Sequence, residues 1–322
     1  ISLRPEGTAS VVRALIEDGK CSEPMPLKYY YIISCFRHEK PQAGRSREFF
    51  QFGTEMFGAE SPAADATAIS LAASVLRRLG LSDVRLHLNS IGCKKCRPDY
   101  RAALVKHFTA HESELCDTCR ERLVKNPLRL LDCKNPACHA IAACAPRTVD
   151  YLCDECREKF EGLKSCLDAM GIAYTVDPSI VRGLDYYTNT VFEFIAEGIG
   201  AQSTVCGGGR YDGLVASLGG PDLPGIGFGM GLTRVILAMK EKGLADISAP
   251  APKVYIASLG ARATIRAAAI VERLRRFGVY AECDLVGRSL KSQMKYADKI
   301  HAAYTLILGD SEIDSGRANI RN

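Results

Sequence analysis

Aromatic and β-branched residues dominate two early runs: Tyr29-Tyr30-Tyr31-Ile32-Ile33-Ser34-Cys35-Phe36 and Phe49-Phe50-Gln51-Phe52-Gly53-Thr54-Glu55-Met56-Phe57. A polar loop with Pro41 and Gly44 separates them, so the pattern predicts a long β-hairpin. Residues 63–79 carry apolar side chains at helical spacing and end at Gly80, which predicts a helix. From 93 to about 160 the texture shifts to Lys, Arg, Glu and Cys with helical patches, the signature of a helical insertion. Strand signals return at 172–176, 190–195 and 202–205, followed by Gly-rich stretches at 207–213 and 219–231 and an apolar helix over 232–239. Beyond the linker Ala249-Pro250-Ala251-Pro252 the pattern alternates, with strands at 254–259, 279–284 and 304–308 and helices at 264–277 and 290–302. That alternation predicts a small α/β domain with a largely parallel sheet, and no closing element is evident before Asn322.

Length changes the picture little. At 322 residues the chain is expected to form two or three domains of roughly 100–200 residues each. Hydrophobic residues make up 47% and charged residues 25%, enough for a sizeable core. No apolar run approaches the roughly 18 residues of a membrane span, which argues against a membrane protein. The balance of 42 Lys and Arg against 37 Asp and Glu, a net charge of +5, permits an anionic partner without demanding one. Cysteine usage is more informative. Ten of the 14 cysteines crowd into 93–166, mostly in close pairs, which points to metal and a reduced cytoplasm rather than a disulfide framework. No secretory leader is visible, and a start at Ile1 without Met leads us to expect a missing natural N-terminus.

Strand period two puts Cys35, Arg37 and Glu39 on one face of the first hairpin strand and Gln51, Gly53 and Glu55 on one face of the second. If the two sets face the same way, an arginine and an acid with an amide between them line one floor, and Gly53 leaves room for a ligand against the backbone. Lys40, Arg45 and Arg47 in the connecting loop could reach the phosphates of an anionic ligand. The competing reading is a solvated face held by surface ion pairs. Glycines at 225, 227, 229 and 231 miss the G-x-G-x-x-G spacing, and no G-K-[ST] loop occurs. Alternate glycines still mark a strand that something approaches closely, with Arg234 near the start of the next helix. Cys93, Cys96, Cys116, Cys119, Cys133, Cys138, Cys153 and Cys156 supply eight thiols, three of the pairs with C-x-x-C spacing, enough for two four-coordinate Zn²⁺ sites. His139 is a possible substitute ligand, whereas His107 and His111, four apart, read as a solvated helix face. Lys94, Lys95, Arg97, Arg101 and Lys106 give the insertion a basic face. Arg273, Arg275, Arg276, Lys291, Lys295 and Lys299 do the same for the last domain.

Several segments together resemble one family. Leu3-Arg4-Pro5-Glu6-Gly7-Thr8, Phe36-Arg37-His38-Glu39 through Glu55, Arg182-Gly183-Leu184-Asp185-Tyr186-Tyr187, Gly207-Gly208-Gly209-Arg210-Tyr211-Asp212 and residues 225–234 are similar, in this order, to histidyl-tRNA synthetases. The hairpin resembles motif 2 of class II synthetases and 225–234 resembles motif 3. The resemblance implies an α+β chain: an antiparallel-sheet catalytic domain at 1–92 and 171–247, a helical Cys-rich insertion at 93–170, and an incomplete anticodon-binding α/β domain at 252–322. It implies that Arg37 contacts the ATP α-phosphate, that Arg45 and Arg234 contact the outer phosphates, that Phe49 stacks on adenine, and that Glu39 belongs to the same nucleotide site. It further implies that Glu6, Thr8 and Gln51 hold the amino group of L-histidine, and that Glu55 and Tyr187, with Tyr186, take its imidazole. Arg182, with Arg37, would stabilise charge building at the reacting centre. The activity implied is ATP- and Mg²⁺-dependent activation of histidine and its transfer to tRNA(His), in a cytoplasmic homodimer, with the insertion on the acceptor arm and the last domain on the anticodon. Two departures stand out: Thr233 occupies a position where the family usually has Glu, and motif 1 is absent, so this chain is expected to be a fragment that does not dimerise normally or aminoacylate by itself.

Two other readings compete. The regulatory subunit of ATP phosphoribosyltransferase shares the synthetase-like fold and binds histidine as a signal, but it has no use for a basic Cys-rich insertion or a tRNA-binding α/β domain. A zinc-stabilised nucleic-acid-binding module without chemistry leaves the hairpin's arginine and acid array unexplained.

Overall fold

A computed structural model describes residues 2–38, 41, 46–133, 135–180, 184–196, 204–244 and 250–321. Two compact units make up the chain, Ile1–Asp246 and Ile247–Asn322.

The first unit is built on a seven-stranded sheet. Its elements are α1 (Thr8–Glu17), β1 (Leu27–Phe36), β2 (Glu48–Phe57), α2 (Pro62–Arg78), β3 (Arg85–Ser90), α3 (Arg97–Thr109), α4 (Asp117–Lys125), α5 (Pro136–Ala143), α6 (Asp154–Ala169), β4 (Tyr174–Val176), β5 (Thr188–Ile195), β6 (Thr204–Arg210), α7 (Leu214–Ser217), β7 (Gly225–Gly231) and α8 (Leu232–Glu241). Strand order is β1-β2-β7-β6-β5-β3-β4, antiparallel throughout except between β3 and β4. The hairpin of β1 and β2 and the helix α2 form where the patterning predicts them. Pro62 in the first turn of α2, with Asp65 near its start and Arg77 and Arg78 near its end, suits the helix dipole.

One sheet face carries Phe192, Phe194, Cys206, Phe228 and Met230 against Ile69, Ala72 and Leu76 of α2 and Phe160, Leu163 and Leu167 of α6. Thus α6, from the Cys-rich span, packs into the core of the catalytic sheet. The opposite face meets α1 and α7 through Val12, Leu15, Tyr211, Leu214 and Val215. Between them α3, α4 and α5 enclose a separate small core of Tyr100, Leu104, Phe108, Leu123, Leu130 and Ile141 with Cys119, Cys133 and Cys138. Asn135 caps α5, its side-chain oxygen accepting from Ala137 N at 3.0 Å and Cys138 N at 3.4 Å.

In the second unit β8 (Val254–Ser258), α9 (Ala261–Arg276), β9 (Ala281–Cys283), α10 (Leu290–Lys299), β10 (Tyr304–Leu308), α11 (Asp310–Ser315) and β11 (Ile320–Arg321) form a four-stranded sheet of order β11-β10-β8-β9. It is largely parallel, as the alternation predicts. The antiparallel β11 adds a short edge strand, and its two exposed residues carry no strand pattern in the sequence. Helix α9 packs on one face of this sheet and α10 on the other. Arg273, Arg275 and Arg276 therefore lie over one face and Lys291, Lys295 and Lys299 over the opposite one, so the six do not make a single basic surface.

Candidate active site

The register of the hairpin builds the site. Ile33 faces Gln51, Tyr31 faces Gly53 and Tyr29 faces Glu55 across β1 and β2, while Gln51, Gly53 and Glu55 face Gly231, Gly229 and Gly227 of β7. Directly paired residues share a sheet face, so Cys35, Gln51, Gly53 and Glu55 line one floor, and Cys35 Sγ donates to Gln51 Oε1 at 3.6 Å. Just past β1, Arg37 N donates to Arg47 O at 2.8 Å, and the Arg37 guanidinium carbon sits 3.8 Å above the centre of the Phe49 ring. Glu39, Lys40, Arg45 and Arg182 lie outside the described residues.

Glycines make the floor accessible to side chains. A Cβ on Gly227 would stand 1.9 Å from Glu55 Oε2, one on Gly229 would stand 2.0 Å from Gln51 Nε2, and one on Gly225 would stand 2.2 Å from the Tyr211 ring. The alternate glycines of β7 are thus the space that these side chains occupy. Gly53 differs from its sequence reading. The room above it is filled by the Tyr31 ring, which a Cβ on Gly53 would meet at 2.2 Å and one on Gly7 at 2.3 Å.

Glu55 is the centre of the constellation. It is only 2% exposed, and its Oε1 accepts from Thr8 Oγ1 at 2.8 Å and from the Tyr31 hydroxyl at 3.1 Å, while Oε2 accepts from the Tyr211 hydroxyl at 2.6 Å. Burial pushes its pKa from 4.5 up to about 7, against the pull of the three hydroxyl donors. Burial likewise raises the Tyr31, Tyr186 and Tyr211 phenols, which therefore stay protonated as donors. A carboxylate offers about four acceptor positions. With two taken on Oε1 and one on Oε2, a fourth remains on Oε2 for an incoming N–H.

Glu6 caps α1: its carboxylate accepts from Thr8 N at 2.6 Å and Ala9 N at 3.0 Å, and Tyr186 OH reaches it at 3.4 Å. Backbone pairing of Phe36 N with Arg4 O at 2.9 Å brings this segment beside the hairpin. The Tyr186 and Tyr187 rings meet at a tilt of 40° with centroids 4.7 Å apart, and Tyr187 lies over Gly209. Of the six residues singled out for histidine, Thr8 bonds Glu55, Glu6 and Tyr186 meet at the start of α1, Tyr187 packs against Tyr186, and Gln51 lies on the same sheet face farther along β2. Arg234 is anchored elsewhere along β6, its Nη1 donating to Thr204 O at 2.8 Å.

Tyr31 and Tyr211 were not singled out, although Tyr211 lies inside the Gly207–Asp212 segment that was. Nor was the buried pair of Asp65 and Arg210. Arg210 Nε donates to Asp65 Oδ1 at 3.1 Å, its Nη2 makes a closer bond to the same oxygen, and Nη1 donates to Ala59 O at 3.0 Å and Asp212 Oδ1 at 3.2 Å. This pair fixes β6 to α2 beneath the floor.

The eight flagged cysteines fall into two groups, Cys93, Cys96, Cys153 and Cys156, and Cys116, Cys119, Cys133 and Cys138, with the sulfurs of each group within 4.8 Å of one another. His139 is exposed and belongs to neither group. His107 is not on a solvated face: its Nε2 lies 3.0 Å from the Ile141 carbonyl and ties α3 to α5, whereas His111 pairs with Glu114 at 2.9 Å. Beside the insertion a cavity of about 530 Å³ is lined by Lys94, Arg97, Arg101, Lys125 and Arg129, with Asp185 and Tyr187 on its catalytic-sheet side.

Comparison with known proteins agrees with this geometry. The family described as Histidyl-tRNA synthetase matches residues 1–235, and the Anticodon binding domain family matches 253–322. The chain is 51% identical over 322 residues to the histidine–tRNA ligase of Acetivibrio thermocellus and 50% identical to that of Halothermothrix orenii, covering all of this chain and 77% of each relative. The apo Staphylococcus aureus histidyl-tRNA synthetase superposes with a TM-score of 0.79 at 37% identity, over 99% of this chain and 78% of that one. A Bacillus halodurans chain described as an ATP phosphoribosyltransferase regulatory subunit/histidyl-tRNA synthetase, 20% identical with a TM-score of 0.64 over 95% of this chain and 79% of its own, shares the fold. Identity near 50% with ligases along the whole chain does not favour the regulatory reading. The chain belongs to the histidyl-tRNA synthetase family.

Proposed function

We propose that this chain activates L-histidine with ATP to histidyl-adenylate and transfers the histidyl group to the 3′ end of tRNA(His). One observation carries the reading: a buried carboxylate, Glu55, ringed by three hydroxyl donors, shares its sheet face with the guanidinium and aromatic pair of Arg37 and Phe49. The imidazole N–H is the natural donor for the open position on Glu55, and Tyr187 closes the ring site. Glu6, Thr8 and Gln51 take the ammonium group. A pocket satisfied by this pattern leaves its own polar groups unpaired with any other amino acid, which in comparable sites gives roughly 10⁴-fold rejection or better.

Arg37 and Phe49 suit the α-phosphate and adenine of ATP, with Arg234, Arg45 and Glu39 completing the nucleotide site. Guanidinium forks match phosphate oxygens and stay charged. Mg²⁺ accompanies the triphosphate and neutralises it. The histidine carboxylate attacks the α-phosphorus, pyrophosphate leaves, and the terminal ribose hydroxyl of tRNA then takes the aminoacyl group. Positioning and electrostatics carry the phosphoryl step, with Arg182 beside the reacting carboxylate. The cationic cavity of Lys94, Arg97, Arg101, Lys125 and Arg129 suits the phosphates of an acceptor arm, and the second unit suits the anticodon. A homodimer of the full-length protein and a cytoplasmic location belong to the same reading; no described helix is long and apolar enough to cross a membrane.

The test is histidine-dependent exchange of pyrophosphate into ATP by the chain with its N-terminal part restored. Arg182→Ala should lose most of the exchange while binding histidine nearly as well as the wild type. Undiminished exchange in that variant refutes the role given to Arg182, and absence of histidine dependence in the wild type refutes the function.

A further inference from the structure

We propose that the two cysteine groups are separate structural Zn²⁺ sites, and that the one at the base of the insertion positions the histidine pocket. No disulfide occupies either group, since all eight thiols are free. Cys93 Sγ lies 3.7 Å from Cys96 Sγ and 3.9 Å from Cys153 Sγ, and Cys116 Sγ lies 4.0 Å from Cys133 Sγ. A tetrahedron with Zn–S near 2.3 Å has edges of about 3.8 Å, so the sulfurs already stand at ligand spacing. Backbone N–H groups point at them: Lys95 N to Cys93 Sγ at 3.3 Å, Cys153 N to Cys96 Sγ at 3.1 Å, and Cys116 N to Cys138 Sγ at 3.3 Å. Such donors stabilise thiolates on a metal. Four clustered thiolates need a cation, and a helical module as small as α3 to α5 benefits from a metal staple.

The two sites do different work. Cys119, Cys133 and Cys138 sit in the insertion's own core, so the distal site holds that module together. The basal site joins the two ends of the insertion, 60 residues apart at Cys93 and Cys153, and touches the strand that leads out of the Tyr186-Tyr187 segment. Cys156 Sγ lies 3.1 Å from the Asn189 side-chain amide. Asn189 holds a left-handed backbone, φ 48°, pinned by Ile91 N to Asn189 O at 2.8 Å and Asn189 N to Gly92 O at 3.0 Å. Next to Cys96, the Arg97 guanidinium bonds the carbonyl of Tyr187. Zinc at the base therefore fixes residues 187 and 189, and through them the tyrosine that closes the histidine site. This coupling rests on the proposed histidine activation, whereas the metal sites themselves do not.

Metal analysis of the purified wild type should give two zinc ions per chain. Cys153→Ser should keep one and raise the KM for histidine about tenfold, with the KM for ATP changed less than about twofold. Cys133→Ser should also keep one but leave both KM values within about twofold. Asn189→Gly, which tolerates the left-handed backbone, should keep two zinc ions and still raise the histidine KM; this arm decides the coupling should Cys153→Ser fail to fold. A wild-type content below two, or iron in place of zinc, overturns the metal assignment independently of activity. Equal effects of Cys133→Ser and Cys153→Ser on histidine, or an unchanged KM in Asn189→Gly, overturn the coupling.

Discussion

Tyr211 donates its hydroxyl to Glu55 at 2.6 Å across 156 residues of sequence, tying the loop after β6 to the second strand of the hairpin. Gly225 and Gly227 of β7 lie between the two segments and make the approach possible, because each leaves empty the space where one of these side chains rests. The proposed histidine site is thus assembled across several strands, and its integrity depends on positions that carry no chemistry themselves.

Gly227→Ala and Gly229→Ala should separate on this ground. At Gly227 the added Cβ would meet Thr54 O at 2.3 Å as well as Glu55, so backbone must move and we expect poorly folded protein. At Gly229 the three nearest atoms all belong to the Gln51 side chain, which can swing away, so folded protein with a raised KM for histidine is expected. Gly231→Ala, whose nearest neighbour would be 3.9 Å away, is the control. Thermal melts together with pyrophosphate exchange would check all three.

Stability should depend on pH through Glu55. The folded chain keeps a proton on this carboxyl up to about pH 7, whereas the unfolded chain releases it near 4.5. The contribution is full below about 4.5 and lost as pH rises through about 7, a fall of about 3 kcal/mol at 1.36 kcal/mol per pKa unit. Denaturant titrations of the wild type and Glu55→Gln across this window should show the wild type losing that amount relative to the variant. Parallel curves would contradict it.

Asp65→Ala should cost about 3–5 kcal/mol, because it leaves the Arg210 guanidinium buried without its main counter-charge. Arg210 is 2% exposed and Asp65 5% exposed, so water cannot readily compensate. Replacing both residues by apolar ones of similar volume should cost less than the single change, as a double-mutant cycle of unfolding free energies would measure.

Much of this was legible before any coordinates. The hairpin showed in its alternating aromatic residues, and period two put Gln51 and Glu55 on one face because sheet geometry leaves no other choice. Cysteine spacing flagged the eight thiols that gather in two groups of four, but which four come together depends on how the insertion folds back on itself. Tyr31 was hidden in an aromatic run where every residue looked like core. Nothing in the sequence marks Asp65, because its partner Arg210 lies 145 residues away. His107 read as surface because its acceptor, the Ile141 carbonyl, belongs to a helix 34 residues on.

Histidine binding by Glu55→Gln, followed by calorimetry, is the most direct measurement. Gln keeps the size of the side chain and removes its charge, so the expected result is a folded protein that still binds ATP but has lost histidine affinity by about 100-fold or more, near 3 kcal/mol. Wild-type affinity for histidine in that variant would contradict recognition of the imidazole by this carboxylate.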